Sequence, residues 1–230
     1  MVHLVQFPQK TVQDLAPLHR LGWLSHQSPE LRDWFVANGR WRTYSAGEII
    51  YLHGDSPDGM YGLGSGAIDV YFAPADEDPV LVHRAETGFW IGESALLAHN
   101  QRIISLSAAT ECRVFRVPAP ALRSLLSSAP QHWPAFYELT HANCLLALTL
   151  LSEALTLTPL ARLARLMLRL SAGGPEIVAN QDDLGRLLGL TRSSLRRSLS
   201  RLAATGAITT GYGRISIVDH ERLLSVSNAS

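Results

Sequence analysis

Residues 180–202 read Asn180-Gln-Asp-Asp-Leu-Gly-Arg-Leu-Leu-Gly-Leu-Thr-Arg-Ser-Ser-Leu-Arg-Arg-Ser-Leu-Ser-Arg-Leu202, and Gly206 and a hairpin pattern follow. Leu184, Leu187 and Leu188 recur at helical spacing, so a helix starts after Asn180 and buries that stripe. Asn180 is a good cap, and Asp183 three residues on completes an acidic variant of the capping box. Asp182 and Asp183 lie where the helix dipole favours negative charge. Gly189 can take the left-handed conformation that stops a helix. Thr191 then caps a second helix with the apolar stripe Leu195, Leu199 and Leu202. Its other face carries Arg192, Ser193, Arg196, Arg197 and Ser200. Gly206 ends it. Ile208-Thr209-Thr210 and Arg214 to Val218 form a hairpin about Gly211-Tyr212-Gly213. A two-helix unit with a tight turn, an arginine-rich second helix and a β wing fits the major groove of duplex DNA. An ordinary helical hairpin with a solvated arginine face does not explain that conjunction.

The distribution of charge agrees. The net charge is +0 and the pI about 7.1, which alone argues against a wholly basic binder. From Pro159 onward, however, ten arginines face five acids, so this part is about +5 and the remainder about −5. The chain has 230 residues, enough for two domains, and is 47% hydrophobic. Cys112 and Cys144 have neither metal-ligand nor redox spacing and read as small buried apolar residues. The start of the chain lacks the pattern of a signal peptide, and its densest apolar run, Cys144 to Leu151, is too short to span a bilayer. A cytoplasmic protein with reduced thiols, not associated with a membrane, is expected.

Between Trp41 and Val117 short strand patterns alternate with glycine-rich turns. They run Arg42 to Tyr44, Glu48 to Leu52, Met60 to Leu63, Ala67 to Phe72, Val80 to Arg84, Ile103 to Thr110 and Arg113 to Val117. Such spacing indicates a closed or double-sheet β structure. Helical segments are expected over Thr11 to Leu24, Ser28 to Asn38 and Ala119 to Ser127. The longest helix runs from Trp133 to Leu157, and its middle, Leu145 to Leu148, is apolar on nearly every side. Such a helix must be buried on more than one face. One face suits the β domain, the other a second copy of the chain. Leu155 to Pro159 form a hinge, and Leu160 to Leu170 start the basic domain. The fold class is therefore α+β: an N-terminal double-sheet β-roll with preceding helices (1–130), a long dimerisation helix and hinge (131–158), and a C-terminal winged helix-turn-helix (159–230).

This order of parts resembles the Crp/Fnr family from about Leu18 to the end. The resemblance rests on Ser45-Ala46-Gly47-Glu48-Ile49-Ile50, Gly54-Asp55, Gly64-Ser65-Gly66, Gly92-Glu93-Ser94-Ala95-Leu96-Leu97 and the helix-turn-helix. It implies a homodimeric, sequence-specific regulator of transcription, gated by a small effector in the β-roll. Its partners are a palindromic operator in double-stranded DNA and, where it activates, RNA polymerase. By resemblance Arg192 and Arg197 match base-reading positions, where a guanidinium can bond guanine twice. Thr191 and Ser194 match phosphate-contacting positions. Ser193 stands where many members carry glutamate, so the operator should differ from the usual one. Arg196 adds a backbone contact. Arg214 in the wing is either a phosphate contact or simply solvated.

The implied effector pocket involves Gly92, Glu93, Ser94, Arg102, Ile103, Ala147 and Leu148. Glu93 and Arg102 match the family's ribose and phosphate ligands, or else form a salt bridge that braces their loop. Ile103 replaces the hydroxyl residue that helps hold the cyclic phosphate. Ala147 and Leu148 replace the hydroxyls that meet the adenine. With three polar partners missing, the pocket does not suit cyclic AMP, because unpaired polar ligand groups are costly. A more apolar ligand with one anionic or polar end is expected, or an empty apo-active state; the cofactor itself is unknown.

An iron–sulfur sensor would need clustered cysteines, which are absent from the sequence. Haem could use one of nine histidines, but His53, His83 and His141 read as surface or satisfied side chains. A metal-dependent enzyme on a cupin-like roll would use closely spaced histidines on one strand. No His-x-His occurs, and no catalytic or metal-binding residues are expected. A ligand-binding module acting through protein partners is the remaining alternative. The arginine-rich helix argues against it, and a DNA gel shift separates the two.

Overall fold

The computed structural model describes residues 15–73, 77–171, 174–211 and 213–228. Parts of the expected Thr11 helix, the acidic loop at Asp76 and the wing turn at Tyr212 lie outside the described residues.

Helix α1 (Ala16–Arg20), a 3₁₀ turn (Trp23–His26) and α2 (Pro29–Asn38) come first. The Ser28 hydroxyl accepts from the Leu31 N–H at the start of α2, where Pro29 sacrifices no helical hydrogen bond. Strands β1 (Arg40–Tyr44), β2 (Ile49–Tyr51), β3 (Gly59–Ser65), β4 (Ile68–Phe72), β5 (Val80–Ala85) and β6 (Trp90–Ile91) follow. After α3 (Glu93–Leu97) come β7 (Ile104–Ala108) and β8 (Cys112–Pro118). They form two four-stranded antiparallel sheets, in the orders β1-β8-β3-β6 and β2-β7-β4-β5. Tyr44, Tyr51, Leu63, Ile68, Val70, Leu106 and Val114 share one buried cluster of this roll. A second cluster joins it to the helices, with Trp23, Phe35, Trp90 and Phe136 packed ring against ring; the Phe35 and Trp90 centroids are 5.3 Å apart.

Helix α4 (Ala119–Ser128) leads to the long α5 (Trp133–Thr156). The chain extends at Leu157, and the Thr158 hydroxyl accepts from the Ala161 N–H to start α6 (Pro159–Leu170). Next come β9 (Glu176–Val178), α7 (Gln181–Leu188), α8 (Arg192–Ala204), β10 (Ile208–Gly211), β11 (Arg214–Ile217) and α9 (His220–Ser227). Leu163, Met167, Leu184, Leu195, Leu199, Leu202 and Leu223 meet in this region's own core.

Two short strands escape the sequence patterns. β6 and β9 have two and three residues, too few for any alternation to register. β9 adds to β11, so the wing is a three-stranded sheet, β10-β11-β9, rather than a hairpin. Cys144, expected in a core, is exposed on α5. The cause is that the apolar residues of α5 are not all covered within one chain: Leu145, Leu148, Leu151 and Leu155 are each more than half exposed.

Asp69 and Arg84 face each other across β4 and β5, and both side chains are 6% exposed. Arg84 Nε donates to Asp69 Oδ1 at 2.7 Å and its Nη2 to Oδ2 at 2.9 Å. Deleting one partner of such a pair strands the other charge. Arg84→Ala should therefore lower stability in urea unfolding by about 3–5 kcal/mol. Combining Arg84→Met with Asp69→Leu should recover most of that loss.

Candidate functional site

The helix-turn-helix is built by local rules. The Asn180 side chain accepts from the Asp183 N–H at 2.7 Å. Gly189 adopts φ 60°, ψ 36°, and closes α7. The Thr191 hydroxyl accepts from the Ser194 N–H at 3.3 Å and opens α8. Because Leu195, Leu199 and Leu202 turn inward, Arg192, Ser193, Arg196 and Arg197 are exposed. Arg192 is held loosely by Asp182 (3.0 Å), with side chains 84% and 60% exposed. In the wing, Arg214 pairs with Glu176 (3.1 Å), also at the surface. Exposed pairs of this kind are worth at most about 1 kcal/mol, so both arginines can exchange a carboxylate for a phosphate.

Beside this interface lies a cavity of about 660 Å³, walled by the roll, α5, α6 and α7. Gly92, Glu93, Ser94, Arg102, Ile103 and Ala147 all line it. Leu148 does not. It lies about 100° round α5 from Ala147, with its side chain outside the cavity. The residues of α5 that do face inward include Thr140, Asn143, Ala147, Leu150 and Ala154. The expected place of Leu148 in the pocket is thus corrected, and Thr140 and Asn143 add polar groups to the inward face beside Ala147. Asn143, one turn before Ala147, was the available sequence signal: a polar residue on an inward stripe.

Glu93 and Arg102 do not brace each other. Arg102 is 2% exposed and turns to Gly92 O (3.1 Å), Gly59 O (2.7 Å) and Asp58 Oδ1 (3.0 Å). Its guanidinium also lies 4.1 Å from the Tyr51 ring centroid. Gly92 takes φ 103°, and a Cβ there would come within 2.7 Å of Arg102 Nη1, so only glycine allows this approach. Burial alone would raise the Asp58 carboxyl, but bonds from Tyr61, Arg116 and Arg102 outweigh it and hold Asp58 below its ordinary range. Glu93 is 2% exposed. Its Oε1 accepts from Asn143 Nδ2 at 3.1 Å, while its Oε2 is buried without a hydrogen-bond partner. Burial raises its pKa, partly offset by its own backbone N–H and by Asn143 and Thr140.

Three further groups in the wall were given no role from sequence. The Glu153 carboxylate on α5 accepts from Arg169 at 2.8 Å and from Arg165 at 3.5 Å, both on α6. Arg162 donates to the Leu188 carbonyl and fixes the end of α7. His83 is half-buried and packs on Phe89; burial and Arg169 lower its pKa to about 4. His53 and His141 are exposed, and His141 stacks on Tyr137. Among the described residues no cluster of three or more potential ligands could hold a metal, and no helix is long and apolar enough to cross a membrane.

A ligand-type roll joined by one long helix to a winged helix-turn-helix defines a class of regulatory proteins. Residues 41–129 match the cyclic nucleotide-binding domain, and residues 161–226 match the Crp-like helix-turn-helix domain. The chain belongs to the Crp/Fnr family of transcription regulators. It is 25% identical over 214 residues to the nitrogen fixation regulation protein FixK of Bradyrhizobium diazoefficiens, covering 89% of each chain. A stretch of 83 residues is 32% identical to the cAMP-dependent protein kinase regulatory subunit of Dictyostelium discoideum, of which this chain spans 25%. The structure of FixK2 from Bradyrhizobium japonicum superposes with a TM-score of 0.73 at 20% identity, covering 84% of this chain and 98% of that one. That likeness is one of fold.

The lowered pKa of His83 has a sign that can be tested. An unfolded histidine titrates near about 6.5, whereas His83 stays neutral in the fold down to about 4. The unfolded state therefore binds more protons between these values. Stability should fall as pH drops from about 6.5 towards 4, by up to about 1.4 kcal/mol per pH unit from this group. His83→Gln should remove that share of the slope in urea titrations.

Proposed function

We propose that this protein is a homodimeric, cytoplasmic transcription regulator whose operator affinity is set by a small effector in the cavity. The observation that carries the reading is the capped α7–α8 pair, which presents Arg192, Arg196 and Arg197 outward beside a cavity partly walled by α7. Arg192 and Arg197 read bases. Thr191, Ser194, Arg196 and Arg214 hold phosphates, and Ser193 permits a sequence different from that read through glutamate. The role is binding and not catalysis. RNA polymerase becomes a partner where the bound dimer activates.

Dimerisation is supported by α5. Tyr137, His141, Cys144, Leu148, Leu151 and Leu155 recur at alternating intervals of four and three and are all exposed. Such a stripe is a helix–helix seam. Two copies joined along it place two α8 helices on one face of a duplex, which calls for a palindromic operator.

Selection from random DNA should return two inverted half-sites whose centres lie about one helical turn apart. Enrichment of no sequence, or of a single half-site, would count against this reading. On the selected operator, Arg197→Ala should cost about 1–3 kcal/mol and relax preference at one base pair per half-site. Leu148→Glu should give monomers in light scattering and abolish operator binding.

A further inference from the structure

The cavity carries an unusual set of polar groups for a nucleotide site. Eight charged or titratable side chains line it: Tyr51 from β2, His83 from β5, Glu93 from α3, Arg102 from the segment before β7, Cys144 and Glu153 from α5, and Arg162 and Arg169 from α6. Every guanidinium among them already has an acceptor. Arg102 bonds two backbone carbonyls and Asp58 through its Nη groups, Arg162 bonds the Leu188 carbonyl, and Arg169 bonds Glu153 through Nη1, while the Nε–H groups of Arg102 and Arg169 are buried without an acceptor. A phosphate entering here would have to strip Arg102 from three partners, and Ile103 offers it no hydroxyl. The cavity residues therefore do not fit cyclic AMP, and of the anionic or polar end expected from sequence they favour the polar one.

The cavity does want a donor. Glu93 Oε2 is a buried acceptor with nothing to accept from, although its carboxyl lines the space. Leaving such an atom unpaired costs free energy that a ligand N–H or O–H would recover. Most of the remaining wall is apolar: Val70, Leu81, Ile91, Ile104, Leu146 and Leu150. A space of about 660 Å³ lies in the range that accepts small organic ligands. Leu187 and Leu188, from the first helix of the DNA-binding unit, are part of the same wall.

We propose that the cavity binds an uncharged, largely apolar molecule carrying one hydrogen-bond donor, which engages Glu93 and packs directly on Leu187 and Leu188 of α7. The roll and the DNA-binding unit then share one ligand, so occupancy changes how α7 sits against the roll without a relay through α5. This deepens the effector-gated reading above and rests on it for the consequence at DNA.

Matched probes test it on the full-length dimer. N-phenyl-1-naphthylamine is uncharged and apolar and carries one N–H. 8-Anilinonaphthalene-1-sulfonate keeps the same rings and adds an anion. The neutral probe should bind with a dissociation constant of about 1–10 μM by fluorescence, at least about tenfold tighter than the sulfonate. Cyclic AMP at about 1 mM should not displace it. Leu187→Glu should weaken the neutral probe about tenfold or more, and the milder Leu187→Ala by a few-fold. Glu93→Leu should weaken it too, but not 1-methylnaphthalene, which has no donor to place there. Absence of neutral-probe binding, equal affinity in the Leu187 variants, or displacement by micromolar cyclic AMP would each overturn the site. Operator binding separates the two claims. If the probe binds in a Leu187-dependent way and leaves operator affinity unchanged, the site stands and effector gating fails. If cyclic AMP displaces the probe and shifts operator affinity, gating stands and the proposed ligand chemistry fails.

Discussion

One buried guanidinium holds the two halves of this molecule in register. Arg84 is fixed on β5 by the bidentate bond to Asp69 on β4, and its Nη2 also lies 3.2 Å from Asp183 Oδ2 on α7. Asp183 is also the residue whose N–H is capped by Asn180. A single cation thus ties the β4–β5 edge of the roll to the start of the helix-turn-helix. Taking three charges out of water is costly, and such clusters persist where they fix one arrangement among several. Without this contact the position of α7 over the roll would be less firmly set, and with it the cavity wall formed by Leu187 and Leu188.

The same division of charge governs the rest of the site. Buried cations bond carbonyls and carboxylates of the chain, although the Nε–H groups of Arg102 and Arg169 lack an acceptor, while the arginines of α8 and the wing are exposed. Arg192 and Arg214 rest on surface carboxylates that salt screens and that a stronger anion can replace. Strong pairs inside and weak pairs outside separate the arginines by role. Arg84, Arg102 and Arg169 hold the architecture, and those of α8 remain available to a polyanion.

Sequence alone disclosed whatever depends on neighbours in the chain. The caps at Asn180 and Thr191, the glycine turn at Gly189 and the leucine stripes of α7 and α8 obey short-range rules, so their positions are legible residue by residue. The alternation of β4 and β5 is legible for the same reason. The site was less so. Which acceptor Arg102 would choose depended on Asp58 and Gly59, which lie 44 and 43 residues earlier in the chain and come close because the Arg102 backbone bonds Gly54 and Asp55 just before them. Ala147 and Leu148 are adjacent in sequence but point apart, and only the docking of α5 decides which one meets the cavity. The Asp69–Arg84–Asp183 cluster joins three elements through two kinds of contact, cross-strand and between units. No local pattern announces it.

Arg84 couples the roll to the DNA-binding unit through Asp183. A double-mutant cycle with Arg84→Met and Asp183→Asn, followed by urea unfolding of the full-length protein, measures that coupling directly. The cycle cancels the separate loss of the Asp69 bond. A coupling free energy of about 1–3 kcal/mol is predicted. Strictly additive effects of the two substitutions would mean that Arg84 and Asp183 do not couple the two units.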